Sequence, residues 1–337
     1  MLKRFYIKSL LIALPFLSLA GYYVAKDPFM VLRPYTDYDH SEVYQSEGTI
    51  AWLKYKRYRA QQHYDSFIMG TSTTMSFPTT YWQKYIQGSP FRMFSNSEGI
   101  GDIALKLEAL DRQKGQKIRH LLIVLEPNSL YTPMPQTGIM HAVPPEVSGK
   151  SEGSFQAAFF QSFCSPQFLF PYLQYQFTHQ MTRKMKGIIE PDMPTRTTYT
   201  NDAIIKADKQ MKEMGEKYWT EGPGMVVPTH NYTPRMSPQY IYGQQMECLR
   251  RIKSICRRHQ TEIRLVIGPR PDKLLTNPSD VKILQDIFGK ENVYNFASRS
   301  YLTWTDYHNF YDGAHFTISL GQHIIDLMYA DKASATR

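Results

Sequence analysis

The clearest pattern of hydrophobic and polar residues lies at the N-terminus of the chain, where a charged segment precedes an apolar one. Two lysines and an arginine within residues 3–8 precede an uncharged run over residues 9–24, and residues 5–7 extend the apolar stretch to about 20 residues, enough to span a bilayer. The basic flank predicts a cytoplasmic N-terminus, so the chain beyond residue 26 is expected outside the cytoplasm. The pattern therefore predicts a cytoplasmic tip and a transmembrane anchor over residues 1–26.

A cleavable signal peptide is the alternative interpretation of this segment. Residues 18–20 (SLA) resemble a small-x-small cleavage site, whereas Pro15 and the pair Tyr22-Tyr23 at the far interface are equally typical of a retained anchor. We expect a retained single-pass anchor, and both interpretations export the rest of the chain. Residues 27–62 are polar and aromatic without strong periodicity, and we expect them to form a stalk that packs onto the following domain.

From residue 63 onward, short apolar runs alternate with helical patterns. The apolar runs predict five strands, over residues 66–70 (SFIMG), 91–94, 120–125 (HLLIVL), 263–268 (IRLVIG) and 293–296. Apolar residues at helical spacing predict helices over residues 80–86, 103–112, 237–258, 279–288 and 319–329. Ser237-Pro238 is expected to begin the third of these helices. The alternation predicts an α/β domain over residues 63–332, with three layers and a five-stranded parallel sheet.

The regular pattern stops between residues 131 and 235. A gap of this length greatly exceeds an ordinary connection between two elements. Within it, residues 154–163 and 167–186 have aromatic-rich helical patterns, and another helix is predicted near residues 203–218. We therefore expect a long, mostly helical insertion that covers the mouth of the domain.

Composition and charge narrow the classes of function. Hydrophobic residues make up 42% and charged residues 20% of the 337 residues, as in ordinary globular proteins. The formal net charge is +9, but the basic residues are scattered and form no zinc-finger spacing, RNP-like motif or basic arm, so nucleic acid is not an expected partner. The three cysteines, Cys164, Cys248 and Cys256, lack metal-ligand spacing and are interpreted as small hydrophobic residues. No metal or other cofactor is expected.

The residues that follow the predicted strands carry the candidate chemistry, because ligands of parallel sheets bind beyond the carboxyl ends of the strands. Ser72 follows the first strand, Gly99 the second and Asn128 the third, while Asp312 and His315 precede the last helix. A serine at a strand-to-helix turn can expose its hydroxyl to a histidine base, and an aspartate in the same loop as the histidine can hold the imidazole tautomer. Taken alone, a serine at such a turn is more often a helix N-cap.

The order of these five residues along the chain resembles the SGNH/GDSL hydrolase superfamily, whose name lists four of them. The resemblance covers the predicted sheet frame, over residues 65–115, 120–128 and 238–328. It implies a flavodoxin-like three-layer fold in which Ser72 is the nucleophile and Asp312 and His315 are its partners. The implied oxyanion hole consists of the Ser72 backbone N–H together with Gly99 and Asn128.

Two departures from the superfamily pattern indicate a particular branch. The first block reads Gly-Thr-Ser-Thr instead of Gly-Asp-Ser, and the third lacks Gly-x-Asn-Asp, which makes Asn96 a rival oxyanion donor to Asn128. These departures and the segments YDSFIMGTS and NFYDGAHF resemble the membrane-anchored DltD-type and AlgJ/AlgX-like proteins of bacteria. That branch implies a single-pass protein of the bacterial cytoplasmic (inner) membrane, with its main domain outside the cytoplasm and often beside a membrane-bound O-acyltransferase.

Further residues near the strand ends are candidates for substrate binding. Asn96 lies after the second strand, and Arg270, after the fourth, is a candidate ligand for an anionic substrate, or equally an exposed loop arginine. Tyr311, with Trp304 and Tyr307, is a candidate for stacking on a sugar ring, although such rings more often pack at a rim.

The resemblance therefore predicts serine-dependent acyl transfer or ester hydrolysis on an envelope polysaccharide or acylated glycan. His308 is a rival base, although Asp312 favours His315. The alternative is a non-catalytic envelope protein that retains the fold and binds glycan or a membrane-bound O-acyltransferase. Hydrogen bonds that link Ser72, His315 and Asp312 would favour the enzyme over the scaffold.

Overall fold

A five-stranded parallel sheet forms the centre of the computed structural model, which describes residues 2–190, 195–227 and 232–330. The strands are β1 (Ser66–Gly70), β2 (Pro90–Arg92), β3 (His120–Leu125), β4 (Arg235–Met236), β5 (Glu262–Ile267), β6 (Leu274–Leu275) and β7 (Val293–Asn295). The main sheet has the order β2-β1-β3-β5-β7 with every neighbouring pair parallel, and β4 and β6 form a small parallel pair. The predicted mixed α/β class with a five-stranded parallel sheet is confirmed.

Helices connect the strands and fill the long insertion. They are α1 (Leu2–Lys26), α2 (Glu47–Gln62), α3 (Thr79–Trp82), α4 (Ile100–Asp111), α5 (Pro145–Ser148), α6 (Glu152–Cys164), α7 (Pro166–Thr178), α8 (Lys206–Met214), α9 (Lys217–Thr220), α10 (Gly243–His259), α11 (Pro278–Phe288) and α12 (Ile318–Met328). Short 3-10 turns cover Ser72–Ser76, Pro127–Leu130, Ile139–His141, Arg183–Met185, Pro223–Val226, Lys290–Asn292, Arg299–Thr305 and Tyr307–Asn309.

The sheet is buried on both faces. Along β3, Leu121, Ile123 and Leu125 pack into a core formed with α2, α4, α10 and α11, whereas Leu122 and Val124 pack into a second core formed with α3, α9 and α12. Successive side chains of a strand point to opposite faces, so a strand covered on both sides is apolar throughout. This explains why the sequence of β3 is almost continuously aliphatic.

Several elements differ from the sequence-based expectation. The helix predicted over residues 80–86 is the short α3, and the helical pattern over residues 167–186 ends with α7 at Thr178. Residues 47–62, within the predicted stalk, form helix α2, whose Trp52 and Tyr55 lie in the main core and whose Lys54 is also buried. A helix buried around much of its circumference has no amphipathic period, which is why the sequence did not reveal it. The prediction that Ser237-Pro238 begins a helix is wrong, because Ser237 N–H donates to Leu275 O and α10 begins at Gly243.

Helix α1 is long and apolar enough to cross a membrane, and within the described residues it alone meets that test. Its last turns pack against the insertion, because Tyr23 contacts Phe163 of α6 and Tyr22 contacts Tyr172 of α7, with ring centroids 5.0 and 6.4 Å apart. Of the predicted insertion and domain, residues 191–194, 228–231 and 331–332 lie outside the described residues.

Candidate active site

The turn after β1 places Ser72 at the carboxyl edge of the sheet. Gly70 ends the strand with φ at +138°, and a Cβ at this position would lie 2.0 Å from Val124 O of the neighbouring strand β3, so only glycine fits. Thr71 then caps the turn Ser72–Ser76, since its side chain accepts the Thr73 N–H. Ser72 is the first residue of this turn and is half-buried, which leaves its hydroxyl at the open edge.

Three side chains from opposite ends of the chain form a continuous hydrogen-bonded chain at this edge. Ser72 Oγ lies 2.6 Å from His315 Nε2. On the other side of the ring, His315 Nδ1 lies 2.8 Å from Asp312 Oδ2 and 3.0 Å from Oδ1. A carboxylate accepts from Nδ1–H, so this geometry leaves the Nε2 lone pair directed at the serine hydroxyl. The structure thus brings together Ser72, His315 and Asp312.

The electrostatic environment keeps Asp312 ionised. Partial burial acts to raise the pKa of this carboxyl, but the hydrogen bond and charge of His315 and the backbone N–H groups of Ala314 and His315 outweigh burial and lower the pKa. An ionised Asp312 both orients the imidazole and stabilises the imidazolium that forms when His315 accepts a proton.

The loop that carries Asp312 and His315 is fixed directly to the serine turn. Tyr311 N–H donates to His315 O at 2.8 Å, which closes the loop, and Ser76 Oγ donates to Phe316 O. Helix α12 follows and packs on the same turn so closely that a Cβ at Gly321 would lie 1.8 Å from Ser76 O. This contact sets the distance between the serine and the histidine, and no pattern in the sequence indicated it.

Replacing Gly321 with alanine should therefore push α12 away from the serine turn. We expect the free energy of unfolding to fall by about 1–3 kcal/mol, with esterase activity reduced because the Ser72–His315 distance increases. Thermal unfolding and esterase assays of the full-length chain in detergent would measure both effects.

The matched control is Gly243→Ala, at the first turn of α10, where a Cβ meets no atom within 4 Å. Alanine favours helices over glycine by up to about 1 kcal/mol, so this variant should be neutral or more stable. Equal effects of both substitutions would contradict the assigned role of Gly321.

A polar cavity of about 340 Å³ adjoins the serine turn. Its lining combines the ends of three neighbouring strands with the start of the insertion, namely Thr71, Ser97, Glu98, Glu126, Asn128, Ser129, Tyr131, Thr132, Gln136 and Tyr240. Thr73, beside the serine, donates its hydroxyl to Glu126 Oε1 at 2.9 Å and so joins the serine turn to the cavity wall. Thr71, which precedes Ser72, is the residue of this turn that lines the cavity. A cavity of this size and polarity is suited to a polar head group.

The predicted oxyanion donors occupy different environments. Asn128 is exposed and lines the polar cavity. Gly99 caps α4, and its N–H donates to Asp102 Oδ2 at 3.1 Å, so the structure gives this N–H a partner within the helix cap. Asn96 is half-buried and its backbone carbonyl accepts from His141 Nδ1 at 3.1 Å.

A buried ion pair supports the loop after β2. Lys106 Nζ lies 2.6 Å from Glu98 Oε1, and the side chains are 2% and 0% exposed. Burial raises the pKa of Glu98 and lowers that of Lys106, although each charge favours the other. Lys106 also donates to Met93 O, so this pair ties the second strand end to α4 below the cavity.

The predicted substrate-binding residues Arg270 and Tyr311 are already engaged within the protein. Arg270 Nε donates to Asp272 Oδ1 at 2.9 Å, and its Nη1 lies 3.6 Å from Glu126 Oε2. Burial disfavours its charge, but these two carboxylates outweigh burial and raise its pKa. Tyr311 is 3% exposed, and its hydroxyl donates to Asp208 and accepts the Ile318 N–H, which gives it a structural role.

The predicted aromatic neighbours of Tyr311 are also packed. Trp304 stacks on Phe296 with ring centroids 5.0 Å apart, and Tyr307 donates its hydroxyl to Glu216. Among the described residues, no cluster of His, Cys, Asp and Glu side chains is arranged to hold a metal ion.

No protein-family model matches the chain, and no curated protein matches it significantly.

Proposed function

We propose that this protein is a serine-dependent acyltransferase or esterase with a flavodoxin-like SGNH fold, which acts outside the cytoplasm on an envelope polysaccharide or glycoconjugate. The observation that carries the proposal is the chain of hydrogen bonds from Ser72 through His315 to Asp312. The strand order β2-β1-β3-β5-β7 supports it, because ligands of such sheets bind where the order reverses, outside the strand ends that carry Ser72 and Asn128.

The chemistry begins with attack of Ser72 Oγ on the carbonyl carbon of an ester. His315 Nε2 accepts the hydroxyl proton as the new C–O bond forms, and then gives that proton to the leaving alcohol as the old C–O bond breaks. The resulting Ser72 ester is attacked by a sugar hydroxyl or by water, whose proton His315 again accepts. When the bond between Ser72 Oγ and the acyl group breaks, His315 returns this proton to Ser72 Oγ. Atoms and charges therefore balance without a redox partner or a metal ion.

The oxyanion of each tetrahedral intermediate needs donors on the cavity side of Ser72. We assign this role to the Ser72 backbone N–H and the Asn128 side chain, which follow β1 and β3 respectively. Gly99 joins them only if its N–H leaves the Asp102 carboxylate. This arrangement differs from the one implied by the superfamily, in which the glycine is a standing donor.

Helix α1 supports a membrane-bound location for this chemistry. As a retained anchor in the bacterial cytoplasmic membrane, with its basic end inside, it would hold the domain against the outer surface of that membrane. The resemblance to polysaccharide O-acetylation proteins then suggests a membrane-bound O-acyltransferase as a partner. The alternative of a non-catalytic scaffold is less well supported, because a scaffold does not require the Ser72–His315–Asp312 hydrogen bonds.

Replacing Asp312 with asparagine tests the proposal. The amide oxygen can keep the backbone N–H groups of Ala314 and His315, which turns the amide NH2 towards Nδ1. An NH2 that donates to Nδ1 favours the tautomer with the proton on Nε2, which cannot accept the Ser72 proton, so we expect activity to fall by about 10⁴-fold. Hydrolysis of p-nitrophenyl acetate by the full-length chain would measure the loss.

The matched control is Asp306→Asn. Asp306 also pairs with a histidine, at 2.6 Å from His308 Nδ1, but that pair is exposed and contacts Glu216, not a serine. Activity should survive this change. Loss of activity in both variants, or in neither, would refute the assigned role of Asp312.

A further inference from the structure

An apolar chamber of about 490 Å³ lies between the insertion and helix α4. Apolar groups from α4, the loop after the polar cavity and helix α6 form most of its wall, in particular Leu105, Pro135, Ile139, Ala142, Val143, Phe155 and Ala158. Its volume is typical of ligand sites. Polar side chains, among them Thr137, His141 and Ser154, also line it, but apolar atoms form most of the surface of its wall. None of the residues assigned to the hydrogen-bonded chain at Ser72 lines it.

The chamber adjoins two other cavities. It shares Gln136 with the polar cavity beside Ser72. At its other end it shares Ile139, Ser162 and Ser165 with a smaller cavity of about 200 Å³, whose wall includes Phe29 and Phe168. Three neighbouring cavities therefore lie between the serine edge and the aromatic cluster formed by α1, α6 and α7.

Helix α6 separates the chamber from the membrane helix. Phe155, Ala158 and Ser162 lie on the face towards the chamber, whereas Phe160 and Phe163 lie on the face that contacts Tyr23 of α1, at 5.2 and 5.0 Å between ring centroids. Positions three, four and seven apart share one face of a helix, so one helix serves both surfaces.

The outer surface of this region is also apolar. Phe170 and Phe177 of α7 are 68% and 84% exposed, and at a spacing of seven they lie on the same helix face. Arg183, Lys184 and Lys186 follow α7 and are exposed. Exposed phenylalanines beside basic residues, next to the end of an apolar 25-residue helix, fit a bilayer surface that contains anionic lipid.

We propose that the chamber binds the hydrocarbon chain of a membrane glycolipid, while the sugar head group, which bears the acyl ester, occupies the polar cavity at Ser72. This inference rests on the proposed function and names its substrate class. The three neighbouring cavities support this proposal, because their lining changes from polar residues beside the serine turn to apolar residues near the membrane helix. A free polysaccharide would leave the chamber without a ligand.

A photoreactive probe tests the chamber independently of catalysis. The probe is a dodecyl glucoside with a diazirine at the end of its chain, added to the full-length chain in nanodiscs. We expect cross-links to peptides that line the chamber. Ala158→Trp fills the chamber and should lower these cross-links by about tenfold or more, because each buried methylene contributes to binding. The neighbouring variant Ala157→Trp is the control, since Ala157 is exposed and lines neither the chamber nor the adjoining cavities.

Activity on two matched esters tests the link to Ser72. We expect the KM for acetylated dodecyl glucoside to be about tenfold or more below that for acetylated methyl glucoside. This difference should disappear in Ala158→Trp and persist in Ala157→Trp, with p-nitrophenyl acetate hydrolysed by both.

The two tests separate the two proposals. Cross-links at the chamber without any Ser72-dependent ester hydrolysis would overturn the enzyme and retain the lipid site. Cross-linking that Ala158→Trp leaves unchanged, or equal KM values for the two glucosides in the unmodified protein, would overturn the lipid site and leave the enzyme intact.

Discussion

Replacing Ser72 with alanine should abolish covalent labelling by a fluorophosphonate probe and lower esterase activity by about 10⁶-fold. The probe forms a bond only with a serine whose proton a neighbouring base can remove, and Ser72 Oγ lies 2.6 Å from His315 Nε2. Alanine removes the nucleophile but leaves the backbone N–H and the Asn128 side chain in place, so a small residual rate from binding and polarisation should remain. Gel fluorescence of labelled membranes and hydrolysis of p-nitrophenyl acetate measure the two effects.

The control for Ser72 is Ser300→Ala. Ser300 lies in the turn Arg299–Thr305 and is exposed, so its hydroxyl is accessible to the probe without being activated by the site. This variant should be labelled like the unmodified protein. Undiminished labelling of Ser72→Ala would show that another residue reacts, and the proposed nucleophile would be wrong.

The elements that the sequence predicted best are those whose burial shows directly in the order of hydrophobic residues. Both β1 and β3 were predicted with their observed bounds, because each is buried on both faces and therefore reads as a continuous apolar run. Helix α2 was missed because side chains around much of its circumference are buried, so its hydrophobic residues do not repeat with a period of 3.6 residues. The start of α10 was misplaced because Ser237 pairs with Leu275, which lies far along the sequence.

The same distinction applies to the site: residues placed by the order of strands could be predicted, whereas contacts between residues distant in sequence could not. Ser72, Asp312 and His315 could be predicted because parallel strands carry their loops to one edge of the sheet, whatever lies between them in sequence. The partners of Gly99 and Tyr311 could not, since they depend on where the side chains of Asp102 and Asp208 turn after folding. The same holds for the cavities, which depend on how the insertion packs against α4 and α1.

Replacing His315 with asparagine should have an effect as large as the serine substitution, about 10⁶-fold on esterase activity. Asparagine can donate to Asp312, but it has no basic nitrogen to accept the hydroxyl proton, so both the acylation and the deacylation steps lose their base. Fluorophosphonate labelling should disappear as well, because the serine then keeps its proton at neutral pH. The rate of labelling and the rate of p-nitrophenyl acetate hydrolysis would therefore fall together.

The chain contains its own control for this substitution in His308. Its Nδ1 and Nε2 lie 2.6 and 2.9 Å from Asp306 and Glu216, so both ring nitrogens face carboxylates and neither faces Ser72. Burial opposes its charged form, but the hydrogen bonds to Glu216 and Asp306 outweigh burial and raise its pKa. The raised pKa favours the imidazolium, which has no lone pair to accept a proton. His308→Asn should keep full activity and full labelling. If this variant lost activity while His315→Asn kept it, the base would be His308, and the geometry at Ser72 would have no catalytic meaning.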